Sequence, residues 1–252
     1  MRNIRVLARL DIKGPNLIKG VHLEGLRIVG NPIDFASMYY QDGVDEVLFM
    51  DSVASLYGRN HLADIIRVTA HDVFVPITVG GGIRSVNDAK DVLNSGADKI
   101  AINSAAVARP ELIREIAESF GSQAMVLSVE AKKTQNVQWE VYTDNGREKS
   151  GLLVKEWVEQ AQSLGAGEIL VTSVDKEGTC RGFDVELMNQ VCSTVSVPVI
   201  ASGGMGRPSD LDELISGSDV SALAVANALH YKKTSIPEIK KRIDSLGVKV
   251  RL

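Results

Sequence analysis

At 252 residues the chain has the length of one large domain, and 44% hydrophobic residues suffice for a full core. A formal net charge of −4 argues against a nucleic acid or a membrane as the main partner. No apolar run approaches the roughly 18 residues of a membrane span, no signal peptide precedes the first strand, and two cysteines, Cys180 and Cys192, are too few for a disulfide framework or a zinc site.

The expected location is therefore the cytoplasm, with both thiols free and without a reactive role. Residues 5–10 form the first of eight β-branched runs. Residues 13–31 have no clear helical period and read as a functional loop. Gly43 ends a helix ahead of the second strand, Glu46–Asp51. The third run, 75–79, leads into Gly80-Gly81-Gly82 and an amphipathic helix over 86–95 closed by Gly96. The fourth, 98–102, precedes Asn103-Ser104 and a helix over 110–120 with Pro110 at its start. After the fifth, 124–129, the irregular segment 132–150 reads as a hairpin excursion, and a helix over 153–164 ends at Gly165. The sixth strand, Glu168–Ser173, is followed by the tight acidic turn Asp175-Lys176-Glu177-Gly178-Thr179. The seventh run, 197–201, leads into Ser202-Gly203-Gly204, then a helix over 209–216 between Pro208 and Gly217; the eighth, 221–225, leads into Ala226-Asn227. Eight βα units at this length predict one closed (β/α)8 TIM-type barrel spanning 1–252, without a linker or second domain.

The chain also nearly repeats itself at a spacing of about 120 residues. Val75-Pro76-Ile77-Thr78-Val79-Gly80-Gly81-Gly82 returns as Val197-Pro198-Val199-Ile200-Ala201-Ser202-Gly203-Gly204. Leu10-Asp11-Ile12-Lys13 is answered by Val129-Glu130-Ala131-Lys132. In such a barrel the active site lies at the C-terminal ends of the strands. Asp11 and Glu130 are therefore expected to face each other across the mouth, where opposed carboxylates suit general acid/base work; the plainer role for each is to anchor a loop. Gly81 and Gly82 with Asn103 and Ser104, and Ser202, Gly203 and Gly204 with Asn227, form two candidate phosphate cradles, because glycine lets backbone N–H groups approach an anion closely. The implied substrate is long, with a phosphate at each end. Lys19, Thr172, Glu177 and Gly178 are further candidate substrate contacts, with a solvated lysine and a merely loop-shaping turn as the alternatives. His22, His61, His71 and His230 lack metal-ligand spacing, and no metal site is expected. At the opposite end stand Arg5, Glu46, Lys99 and Glu168, which on general grounds form a salt-bridged layer closing the barrel.

Several motifs occur together: Leu10-Asp11, Ile18-Lys19-Gly20, residues 78–83, Gly96-Ala97-Asp98-Lys99, Phe120-Gly121-Ser122-Gln123, residues 165–170 and 201–204, and the final Gly247-Val248-Lys249-Val250-Arg251-Leu252. On these the chain resembles, from end to end, the cyclase subunits of imidazole glycerol phosphate synthase of the histidine pathway. The resemblance implies half-barrel repeats of about 1–120 and 121–252, a lyase-type reaction on a bisphosphorylated ribulosyl aminoimidazole carboxamide ribotide, and no cofactor. It implies ammonia from a glutaminase subunit docked at the N-terminal face, entering through a gate of Arg5, Glu46, Lys99 and Glu168, with Asp11 and Glu130 in the acid/base positions. The chain departs from the family's pattern at Arg9 (usually cysteine), Val53 (threonine), Glu130 and Glu177 (aspartate), Asn227 (serine) and the first-loop Gly14-Pro15-Asn16-Leu17. Because these departures gather at the substrate end, a second reading stays open: a paralogue that channels ammonia with a glutaminase for amidation elsewhere, for example in surface-sugar biosynthesis. A third, the sister sugar isomerase of histidine synthesis, needs no ammonia and does not account for the four gate charges.

Overall fold

The computed structural model describes residues 3–52 and 62–251. Its strands are β1 (Arg5–Lys13), β2 (Asn16–Val21), β3 (Glu24–Gly30), β4 (Glu46–Asp51), β5 (Ile77–Gly80), β6 (Lys99–Ile102), β7 (Met125–Lys133), β8 (Trp139–Thr143), β9 (Glu148–Leu153), β10 (Glu168–Ser173), β11 (Val199–Ser202) and β12 (Ala222–Val225). Eight of them pair in parallel around a ring, β1–β4–β5–β6–β7–β10–β11–β12 and back to β1. The ring is the expected (β/α)8 barrel. Two strands start two residues later than the sequence suggests. Pro76 and Pro198 lack the N–H that a ladder needs, and each contributes only its carbonyl, to Val47 N and Ile169 N.

The barrel strands are buried on both faces, and the period of two sorts their side chains. On β1, Val6, Ala8, Leu10 and Ile12 belong to the layer between barrel and helices. Leu7 instead points inward and meets Leu48, Ala101, Val126, Leu170, Ile200, Ala222 and Ala224 in a separate apolar plug. The helices are started by their own sequence. The Asn31 side chain accepts from Ile33 N ahead of Pro32–Gln41, Ser85 caps Val86–Asn94, and Ser235 and Glu238 form a capping box on Ile236–Ser245. Gly96 follows Val86–Asn94 at φ 112°, a left-handed stop that disfavours any side chain. Among the described residues no helix is long and apolar enough to cross a membrane.

The expected loop over 13–31 is instead the antiparallel hairpin β2–β3, continuing β1. Its alternation is hard to read because β3 has no buried residue, and because its turn consists of His22 and Leu23, both at positive φ without glycine. The excursion over 132–150 is a hairpin as expected, β8–β9, continuing β7. The two hairpins meet over the mouth. The amide of Asn145 donates to Leu23 O at 3.0 Å, and the buried Leu23 side chain lies beside Gly146 and Val174. His22 N donates to Glu177 O at 2.8 Å and its ring Nδ1 donates to Val174 O, also at 2.8 Å.

Candidate active site

Along the inner face of β1 the same alternation stacks Arg5, Leu7, Arg9 and Asp11 from the bottom of the barrel to its mouth. Asp11 is 3% exposed and holds a cation on each oxygen: Arg9 Nε on Oδ1 at 2.8 Å and Lys19 Nζ on Oδ2 at 2.9 Å. Burial alone would push this carboxyl up, but the Arg9 guanidinium and the Lys19 ammonium outweigh it and hold it well below the usual carboxylate range. Lys19, brought in by the β2–β3 hairpin, is itself buried and also bonds Glu177. It is not the solvated lysine of the plainer reading. Gly178, at φ 73°, lets this turn press on the hairpin, since a Cβ there would strike the Gly20 carbonyl.

Arg9 points inward and is 3% exposed. Its Nη1 donates to Thr172 Oγ1 at 2.8 Å and to Ser202 Oγ at 3.1 Å. Two hydroxyls read as substrate contacts from the sequence are thus engaged by a side chain of the protein. Four places around the ring, Glu130 lies in the buried part of β7, one residue before its end at Ala131. Its Oε2 accepts from Gly146 N at 2.8 Å, and it has no ion pair among the described residues. Burial pushes its carboxyl up to about 7, against the opposing pull of the Gly146 N–H and of Arg9.

The two glycine turns lie on opposite sides of this centre. Gly81, Gly82, Asn103 and Ser104 line one cavity of about 90 Å³, with Arg9 and Glu130 on its inner wall. Asn103 donates to Tyr142 O at 3.0 Å, and its buried Oδ1 has no hydrogen-bond partner. Gly203, Gly204, Glu177, Gly178 and Asn227 line a crevice of about 10 Å³, which has room for no more than about one water. Here the Asn227 amide reaches Gly178 O at 3.4 Å and its Oδ1 lies 3.1 Å from Cys180 Sγ. Cys180, at φ 57°, also receives Lys233 Nζ at 3.1 Å. Among the described residues no group of three His, Cys, Asp or Glu has metal-binding geometry. His22 holds the hairpin, and His230 is buried against the Tyr39 hydroxyl, 2.8 Å away, where burial pushes it down to about 4. His61 and Val53 lie outside the described residues. Lys133 pairs with Glu186 at 2.7 Å and stands over the Trp139 ring, so it serves the hairpin.

At the bottom, Arg5, Glu46, Lys99 and Glu168 alternate in sign around the barrel. Arg5 bonds Glu46 at 2.7 Å and also Glu168; Lys99 bonds Glu46 and Glu168, each at 2.9 Å. Thr78 completes the ring by donating to Glu46. The sequence reading missed Thr78, although its inward phase on β5, two residues before Gly80, was a usable signal. Above the ring lies the apolar plug, so along β1 the barrel presents charge, then hydrocarbon, then charge.

The sequence pattern of the family described as histidine biosynthesis protein matches residues 5–235. The chain is 64% identical over 207 residues to the imidazole glycerol phosphate synthase subunit HisF of Legionella pneumophila, an alignment covering 82% of this chain and 98% of that one. It is 44% identical over 248 residues to the HisF subunit of Streptococcus sanguinis (strain SK36), with 98% of each chain covered. Identity to the HisF subunit of Corynebacterium diphtheriae is also 44%, over 255 residues and 98% of each chain.

Proposed function

The chain belongs to the histidine biosynthesis protein family, and from that footing we propose that it is the cyclase subunit of an imidazole glycerol phosphate synthase, a lyase fed with ammonia by a glutaminase subunit. The observation that carries the reading is the pair of buried carboxylates at one barrel mouth, Asp11 held ionised between two cations and Glu130 pushed toward the protonated form. Environments that drive two acids apart in this way assign one as base and the other as acid. Ammonia adds to the keto carbon of the bisphosphorylated ribulosyl substrate. Asp11 takes a proton from the added nitrogen, Glu130 gives one to the carbinol oxygen, and water leaves to yield the imine. Cleavage and ring closure then release imidazole glycerol phosphate and the aminoimidazole carboxamide ribotide. The turns at Gly81-Gly82 and Gly203-Gly204 would hold the two phosphates, the second after the β2–β3 hairpin lifts Lys19 off Glu177. The glutaminase would dock at the N-terminal face, and the ring of Arg5, Glu46, Lys99 and Glu168 would admit ammonia to the apolar interior. Closure of both hairpins over the site favours keeping a hydrolysable imine from water.

One observation favours the second reading, an ammonia-channelling paralogue. Arg9 occupies the hydroxyls of Thr172 and Ser202, so part of the substrate end is internally paired. A single assay separates the two: cyclisation by the purified chain with the bisphosphorylated substrate and ammonium salt at alkaline pH. Turnover is expected, falling by on the order of 100- to 10,000-fold in Asp11→Asn. A folded chain that turns over neither as it stands nor as Glu130→Asp overturns the cyclase assignment in favour of the channel.

A further inference from the structure

We propose, resting on the acid/base reading above, that Arg9 is a positioning residue for Asp11: it keeps Asp11 a carboxylate, while its tether to β10 and β11 denies Glu130 an ion pair, so that Glu130 and not Asp11 carries the proton. The first support is how the fork of Arg9 is spent. Nε lies on Asp11, while Nη1 is tied to hydroxyls on β10 and β11, at 2.8 Å from Thr172 and 3.1 Å from Ser202. A planar guanidinium anchored at both ends has no freedom to swing toward Glu130. Glu130 is left with one backbone donor, Gly146 N, and no cation within bonding distance among the described residues.

The second support is the charge balance of the mouth. Arg9 and Lys19 bring two positive charges, and Asp11 and Glu177 bring two negative ones, all four of them 3% exposed. The set is already neutral. Ionising Glu130, 8% exposed, adds an uncompensated negative charge to a buried cluster. Of the other charged groups at this mouth, Asp51 and Arg84 line the same cavity as Glu130 and bring one charge of each sign, so together they add no net compensation. Asp144, from the β8–β9 turn, adds repulsion toward Glu130. His230, from the helix Asn227–His230 after β12, is buried and pushed toward its neutral form. Lysine in place of Arg9 keeps the charge but lacks the second arm that holds the hydroxyls.

The test is a carboxyl titration of the whole chain, labelled with carbon-13 in its Asp and Glu carboxyls. The Asp11 and Glu130 signals are assigned through Asp11→Asn and Glu130→Gln. In the unaltered chain Glu130 is expected to titrate near neutrality, and Asp11 to stay ionised throughout the pH range in which the fold persists. In Arg9→Met the Asp11 midpoint is expected to rise by about 1 to 3 pH units into that range, and the Glu130 midpoint to rise with it; Arg9→Lys should restore an ionised Asp11. An Asp11 that stays ionised throughout in folded Arg9→Met overturns the proposal, because Lys19 alone then suffices. If Arg9→Met does not fold, the unaltered chain still decides: a proton on Asp11 rather than Glu130 at neutral pH overturns it. The titration requires no substrate, so its outcome is read independently of whether the chain cyclises the bisphosphate.

Discussion

Glu130 is a carboxylate whose chemistry departs far from its type. Its carboxyl rises from the usual 4.5 to about 7, chiefly through burial. The native state therefore binds more protons than the unfolded chain between those two values, and stability falls as pH rises through that window. The full cost of the buried charge, on the order of 3 kcal/mol, is present only above about pH 7. Glu130→Gln should accordingly be more stable than the unaltered chain at pH 8, with the gain fading toward pH 5, as read by thermal unfolding at both values. A variant less stable than its parent at pH 8 contradicts this account of the site. The positions of Asp11 and Glu130 were legible in the sequence because each stands near the C-terminal end of a strand at the matching place of a repeat. The role of Arg9 was not legible, since its partners Thr172 and Ser202 lie on strands that only barrel closure brings opposite β1.

The elements divide in the same way. All eight barrel strands and the β8–β9 hairpin could be read from β-branched runs and turn residues. The β2–β3 hairpin could not, because β3 is solvated on both faces and its turn is set by contacts of His22 with Val174 and Glu177 rather than by glycine. The charged ring at the strand starts is a further case in which sequence identified the members but not their bonding. Glu46 and Glu168 have side chains only 1% and 7% exposed, and Lys99 and Arg5 together neutralise them. Lys99→Met leaves Arg5 alone against two buried carboxylates. It is expected to cost about 3–5 kcal/mol in urea unfolding, and adding Glu46→Gln should recover part of that loss. An unchanged midpoint would mean that water, not Lys99, screens the pair.

For the molecule as a whole, ring closure depends on residues far apart in the chain. Lys240, on Ile236–Ser245, bonds Asp45 at 2.7 Å and the Arg251 carbonyl, while the other oxygen of Asp45 accepts from Val6 N on β1 at 2.7 Å. The last helix is thereby fastened to the first two barrel strands. Lys240→Met strands a carboxylate that is 6% exposed, and the cost should be about 3 kcal/mol. A single cooperative transition at lower temperature is the expected calorimetric result; an early separate melt would show that the last helix is an independent unit. Finally, β1 alone carries Arg5 at one end of the barrel axis and Asp11 at the other, about 20 Å along the strand at 3.3 Å per residue. Because both belong to one inward phase, losing or gaining a single residue between them would turn one end toward the helices. Length changes in β1 are tolerable only in pairs, so the spacing from the charged ring to Asp11 is inherited as one indivisible measure.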